Sequence, residues 1–205
     1  MALVKHNNNS LTNLTALPSA VPTGKMTLLS TATASSSANI TFNNTYINGD
    51  YLIYKFDFIS IHAATENAHF SFNVSIDNGS NFNVAKTTTF FRAGHAENGA
   101  ESYLNYRADG DLAQGTGDQR ISEFSNIDND SSTSGSMLLF NPNSSVFVKH
   151  FIADTSLVYN ATPNYNEHNF TAGYANTTSD VDAIIFKMSS GNIDAGQIKL
   201  YGLGN

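Results

Sequence analysis

The sequence lacks cysteine and tryptophan, and it has few charged residues. Without cysteine the chain can form no disulfide, no thiolate-bound zinc or iron–sulfur site and no cysteine nucleophile. The net charge of -7 argues against nucleic-acid binding, because phosphates attract a cationic face. No apolar run reaches the roughly 18 residues of a membrane-spanning helix. Residues 1–10 also lack the apolar stretch of a signal peptide, so we expect no membrane partner and no secretion.

Neutral polar residues take the place of the missing charges. Charged residues make up 13 % of the 205 residues, whereas Asn, Ser and Thr together make up about a third, far above their usual share. Hydrogen bonds from amides and hydroxyls depend little on salt, since few of them are Coulombic. Such a surface favours either a permanent structural role or weak, multivalent contacts with glycans.

Alternating apolar and polar residues are the main structural signal after residue 25. In residues 69–76 every second residue is apolar, as in a strand with one buried face. Other strand-like runs lie at 51–61, 145–152, 181–188 and 196–203. Helical spacing is absent from these runs, and a short helix is expected only within 96–111. The sequence predicts an all-β fold, a jelly-roll-like antiparallel β-sandwich over residues 26–205.

Two further local features refine this prediction. Asp77-Asn78-Gly79 has the composition of a tight turn, and it predicts a hairpin between 69–76 and the following segment 81–92. Residues 1–25 have neither alternation nor a helical stripe. They contain two prolines, each of which favours an extended conformation in the preceding residue. We therefore expect residues 1–25 to form an extended N-terminal arm for attachment.

Two long segments rich in Gly, Asp and Ser interrupt the strands, at 107–121 and 125–135. We expect both to be surface loops, where binding residues are most often found. Each contains a pair of aspartates with the spacing of a hard-cation chelate, and these candidate metal ligands are Asp109, Asp111, Asp128 and Asp130. The complete calcium-loop pattern fails, because its sixth position is Thr133 instead of glycine. Ordinary turn chemistry accounts for both pairs, so no metal is expected.

Signatures of catalysis are missing from the sequence. It contains no Gly-x-Ser-x-Gly elbow, no His-Glu-x-x-His helix motif and no phosphate-binding glycine loop. The six histidines are scattered, and His69 is expected on the polar face of its strand. The sequence therefore predicts a protein that is not an enzyme, with no catalytic residues and no cofactor.

The C-terminal part of the chain carries a family resemblance. Its motifs are Leu139–Ser145 (LFNPNSS), Phe147–Phe151 (FVKHF), Gly173-Tyr174, Phe186–Ile193 (FKMSSGNI) and Ala195–Gly202 (AGQIKLYG). Together they resemble a family of virion structural proteins of marine tailed bacteriophages, whose members are described as structural or tail-fibre-like. The resemblance covers most of residues 26–205. It implies a non-enzymatic component of the virion exterior, often trimeric, and it brings no catalytic or metal-binding residues.

These observations lead to one functional hypothesis and two alternatives. We expect a structural protein on the exterior of a tailed-phage virion, assembled in the bacterial host cytoplasm. Capsid decoration through residues 1–25 is favoured over a tail appendage, because the chain is compact and has no heptads or shaft repeats. The expected partners are major capsid or tail proteins and further copies of the chain, as a homotrimer. One alternative is a tail-fibre module that binds host surface glycans through 107–121 and 125–135, and the other is a glycan depolymerase.

Overall fold

The computed structural model describes residues 26–204, which form thirteen β-strands and contain no helix. The all-β prediction is therefore confirmed. In chain order the strands are β1 (Thr27–Thr33), β2 (Ile40–Phe42), β3 (Ile53–Ala63), β4 (His69–Ser75), β5 (Lys86–Ala96), β6 (Ser102–Tyr106), β7 (Ala113–Gly115), β8 (Gln119–Phe124), β9 (Thr133–Phe140), β10 (Lys149–Tyr159), β11 (Tyr165–Ala175), β12 (Ala183–Met188) and β13 (Ile193–Leu203). Nothing in this described part of the chain is a helix that could cross a membrane.

The strands form two antiparallel sheets of unequal size. The large sheet has nine strands in the order β1-β13-β3-β9-β10-β11-β5-β6, with β7 also paired to β5. The small sheet has four strands in the order β2-β12-β4-β8. The two sheets pack face to face over a common core, so the predicted antiparallel sandwich is present.

The core between the sheets is built around Phe186 of β12. Its ring centroid lies 5.1 to 6.4 Å from those of five other phenylalanines, namely Phe42, Phe56, Phe58, Phe70 and Phe72. Two of these rings come from the large sheet and three from the small one, so this cluster joins the layers. The closing strand β13 behaves as its alternation indicates, because Ile198 and Leu200 are fully buried.

The structure corrects three local predictions. The Asp77–Gly79 turn does not close a hairpin, since β4 pairs with β12 and β8 while β5 pairs with β11, β6 and β7. After this turn the chain crosses from the small sheet to the large one. Residues 96–111 contain the strand β6 instead of a short helix. The segment 107–121 is not a simple loop, because it contains β7 and the start of β8.

Strand β4 is also buried on both faces instead of one. Its apolar face packs into the core, and the polar residues Ser71, Asn73 and Ser75 are buried as well. The segment 107–121 covers this polar face, where the Asn73 amide donates to the carbonyl of Thr116 and to the carboxylate of Asp118, each at 3.1 Å. The arm expected at residues 1–25 lies outside the described residues.

Replacing Phe186 by alanine tests the central role of this ring. We expect Phe186→Ala to lower the free energy of unfolding by about 3–5 kcal/mol, because it removes the ring that fills the space between the sheets. Urea unfolding followed by circular dichroism measures the change. Phe147→Ala is the matched control, since Phe147 is 68 % exposed, and it should change the free energy by less than about 0.5 kcal/mol. Equal effects of the two changes would contradict this account of the core.

Candidate functional site

The outer face of the large sheet presents apolar side chains to solvent. The small sheet packs against the opposite face, and no strand of residues 26–204 lies over the outer one. Ile152 on β10 is 51 % exposed and Phe91 on β5 is 39 % exposed, although both lie in the interior of the sheet. On the edge strand β6, Leu104 is 72 % exposed. We call the outward-facing side of β9, β10, β11, β5 and β6 the bare face.

The strand register groups the apolar residues of the bare face into adjacent rows. One row runs across the strands through Leu138, Ile152, Ala172 and Thr89. The next row runs through Ser136, Asp154, Phe170, Phe91 and Tyr106. In this second row the rings of Phe91 and Phe170 stack with a centroid distance of 4.8 Å and an interplanar angle of 12°. The exposed apolar groups therefore form one continuous patch.

Two apolar hollows open on the bare face, one on each side of Ile152. The larger, about 490 Å³, is lined by Thr87, Thr88, Thr89, Phe140, His150, Phe151, Ile152, Ala172, Gly173 and Tyr174. The smaller, about 210 Å³, is lined by Phe91, Ile152, Ala153, Asp154, Phe170, Thr171 and Ala172. Because Ile152 lines both hollows and is half exposed, it forms a ridge between them.

Charge is almost absent from the bare face. Among the outward-facing residues of its five strands, Asp154 is the only carboxylate, and no lysine or arginine is present. His168 on the neighbouring strand donates a hydrogen bond to this carboxylate. Charged residues reappear on β3 and β13, where Lys55 pairs with Asp57 and Lys199 lies nearby. A sheet face with one charged side chain and a group of adjacent exposed apolar residues is typical of a surface that contacts another molecule.

On the inner side of the same sheet, a network of buried charges joins β5, β6, β8 and β11. Arg92 donates to both oxygens of the Glu167 carboxylate, at 3.2 and 3.0 Å, and Tyr103 donates to Glu167 at 2.7 Å. Glu123 accepts from Arg107 at 2.9 Å and lies 3.4 Å from Arg120. Both glutamates are fully buried. Burial, more than any other influence, raises the pKa of Glu167 above its usual range.

This network depends on one glycine. Gly94 lies between Glu167 and Tyr103 in the register of β11, β5 and β6. A Cβ atom at Gly94 would approach the Tyr103 ring to 2.3 Å. The missing side chain therefore allows the ring to lie across β5 and to reach the carboxylate of Glu167.

The segment 107–121 encloses a polar cavity of about 280 Å³ on the outer side of the small sheet. It is lined by His69, Ser71, Asp109, Gly110, Asp111, Leu112, Asp118, Arg120 and Ser189. Arg107 and Arg120 contact Asp109 at 2.9 and 3.4 Å, and Tyr106 donates to Asp111. The cavity thus combines carboxylates, a guanidinium group and hydroxyls.

His69 lies on the polar face of β4, as expected, where it lines this cavity and its ring stacks on Phe124 at a centroid distance of 4.4 Å. Burial, and secondarily the positive charge of Arg120, lower the pKa of His69 to about 4. The imidazole is therefore neutral at pH 7. Its Nδ1 atom is buried and has no hydrogen-bond partner among residues 26–204.

The segment 125–135 borders a second polar cavity, of about 370 Å³. Its lining includes His62, Asp130 and Asp194, while Asp128 contacts the His62 ring through its backbone carbonyl, at 3.3 Å. Asp109 and Asp111 therefore line one cavity, whereas only Asp130 of the second pair lines the other. Within residues 26–204 there is no group of three or more His, Asp or Glu side chains arranged to hold a metal ion.

Substituting His69 tests how its low pKa makes the free energy of unfolding depend on pH. Because the unfolded chain binds a proton near the ordinary histidine pKa of about 6.5, whereas folded His69 does so only near 4, acidification below 6.5 favours unfolding. We expect a loss of about 1–2 kcal/mol between pH 7 and 5. His69→Phe keeps an aromatic ring stacked on Phe124 but cannot bind a proton. The variant should therefore not show this loss of unfolding free energy between pH 7 and 5. Urea unfolding at both pH values measures it, and an identical pH dependence in the variant would contradict the assignment.

Comparison of the chain with models of protein families, with curated proteins and with solved structures found no match in any of the three. The family resemblance of the C-terminal motifs therefore stays a prediction from the sequence. The expected location on a virion, the expected partners and the expected lack of catalysis also stay predictions from the sequence.

Proposed function

We propose that this protein is a non-enzymatic structural component of the exterior of a tailed-phage virion, where it decorates the capsid. The observation that carries this proposal is the bare face, a nearly uncharged surface of the large sheet with a group of adjacent exposed apolar side chains. Monomeric proteins rarely expose a patch of this kind, whereas proteins that form assemblies use such a patch as an interface. The virion setting is supported by the resemblance of residues 139–202 to phage structural proteins.

Two further features support a permanent structural role. The large sheet is held by antiparallel pairing along its whole width, and strands β5, β10, β11 and β13 each extend over 11 residues. The buried charges of Arg92, Glu123 and Glu167 are held by partners from different strands. Because breaking a buried ion pair costs about 3–5 kcal/mol, this network resists local opening of the sheet.

Residues 1–25 are proposed to attach the protein to the particle. Deleting them from the phage gene is expected to remove the protein from purified particles, while the same phage with Leu28→Lys, which alters the first strand without shortening the chain, should retain it. Quantitative protein analysis of particles measures incorporation. Normal incorporation of the shortened chain would overturn the attachment role.

Electron cryomicroscopy of intact particles tests the location. Capsid decoration requires density for this sandwich over the whole shell, at positions related by the capsid symmetry. Density confined to the tail would replace decoration with an appendage role. Absence of the protein from the particles would overturn the proposed function itself.

A second candidate function is supported by the polar cavity of segment 107–121. Its size of about 280 Å³ suits one sugar ring, and its carboxylates, guanidinium and serines match a ligand with many hydroxyls. In this function the protein would be a receptor-binding module that recognises host surface glycans.

Adsorption to host cells tests this second function, with Asp111→Asn as the informative variant. Asp111 lines the cavity, and loss of its charge should weaken adsorption about tenfold, as expected for one charged hydrogen bond. Asp180→Asn is the matched control, because Asp180 is exposed and lies outside both 107–121 and 125–135. Equal adsorption by all three proteins, or none by the unaltered protein, would exclude glycan recognition through segment 107–121.

A further inference from the structure

We propose that the bare face is an interface between two copies of this chain, packed face to face about a two-fold axis. The inference rests on the proposed structural function and adds the partner of its surface. In a two-fold interface the same patch occurs on both sides, so the patch must contain its own complement.

Ile152 and the hollows beside it provide that complement. Ile152 is 51 % exposed and forms the ridge between an apolar hollow of about 490 Å³ and another of about 210 Å³. When a second copy is rotated by 180°, its Ile152 packs into a hollow of the first copy. By symmetry, Ile152 of the first copy packs into the same hollow of the second. Each apolar ridge is then buried among the aromatic and aliphatic side chains that line the facing hollow, such as Phe140, Tyr174, Phe91 and Phe170.

The size of the bare face agrees with this partner. Its strands β5, β10 and β11 have 11 residues each, and β9 has 8. With strands about 4.8 Å apart and about 3.4 Å per residue, these four strands cover roughly 700 Å². Stable interfaces bury about 600–1,000 Å² on each partner. The face is thus large enough for a stable pair of sheets.

The charge distribution also favours a second copy over a charged partner. Two identical surfaces repel each other if they carry the same net charge, whereas the bare face has one carboxylate, Asp154, already hydrogen-bonded to His168. The bare face is bordered by β3 and β13, which carry Lys55 and Lys199. A partner of the nucleic-acid or acidic-peptide type would require cations within the patch, and these five strands present none there.

Face-to-face packing predicts how many copies of the chain assemble. A two-fold interface closes on itself and gives a dimer, whereas a trimer requires two different patches on each copy. The dimer is therefore distinct from the trimer that the family resemblance implies, and molecular mass separates them. Whether the chain is a dimer is also independent of its location on the virion, which is tested on intact particles.

The experiment is to measure the mass of the purified full chain by light scattering during gel filtration, at about 50 µM, above the micromolar Kd that a weak interface of this size would have. We expect twice the 22.1 kDa of one chain. Ile152→Lys places a charge in the ridge and should weaken dimerisation at least ~30-fold, so that its average mass at this concentration falls well below that of the unaltered protein.

Leu28→Lys is the matched control. Leu28 is 52 % exposed and lies in the same row as Ile152, four strands away on the outermost strand β1. It should remain dimeric, and circular dichroism should show that both variants are folded. If Ile152→Lys fails to fold, Thr89→Lys provides the same test, because Thr89 is exposed and lines the larger hollow.

Three results would overturn the inference. They are a monomeric or trimeric unaltered protein, a folded Ile152→Lys variant that stays dimeric, and equal dissociation of Ile152→Lys and Leu28→Lys. If the monomeric full chain dimerises once residues 1–25 are removed, the bare face is assigned to those residues instead of to a second copy. A monomeric protein found on virions would reject the pairing and leave the proposed structural function intact.

Discussion

The unequal size of the two sheets is the constraint on which the rest of the structure depends. A four-stranded sheet packs on a nine-stranded one, and the cluster around Phe186 holds them together. Each sheet must bury one face, and this contact does so at the centre of the sandwich. Beneath β5, β6 and β11, the buried ion pairs of Arg92 and Glu123 replace apolar packing. Within residues 26–204 the opposite face of the large sheet has no such partner, and apolar side chains such as Ile152 and Phe91 are exposed there.

The sequence predicts the strands well, because alternation is a local property. The buried positions of β13 and the apolar face of β4 can be read from every second residue. Strand pairing is not local, and this is why Asp77–Gly79 was misread as a hairpin turn. The turn residues specify a change of chain direction, and Asn78 and Gly79 do have positive φ. They contain no information on whether the following strand continues in the same sheet.

The candidate surfaces are harder to predict for a related reason. The rows of the bare face combine residues from five strands that are far apart in the sequence, and each strand alone looks like an ordinary half-buried one. Residues 107–121 were correctly selected as unusual, yet their role in covering the polar face of β4 depends on contacts such as Asn73 with Asp118. The depressed pKa of His69 follows from burial, which composition does not reveal.

The strand order has a consequence for how one copy can be connected to its surroundings. Strand β1 begins at Thr27 on one edge of the large sheet, whereas the bare face occupies the half of the sheet that ends at β6. A tether joined to β1 and a neighbour resting on Ile152 would therefore be attached at opposite halves of the large sheet. If both proposed contacts form, one copy would bridge two anchoring points, and a layer of such copies would transmit mechanical load from one point to the next.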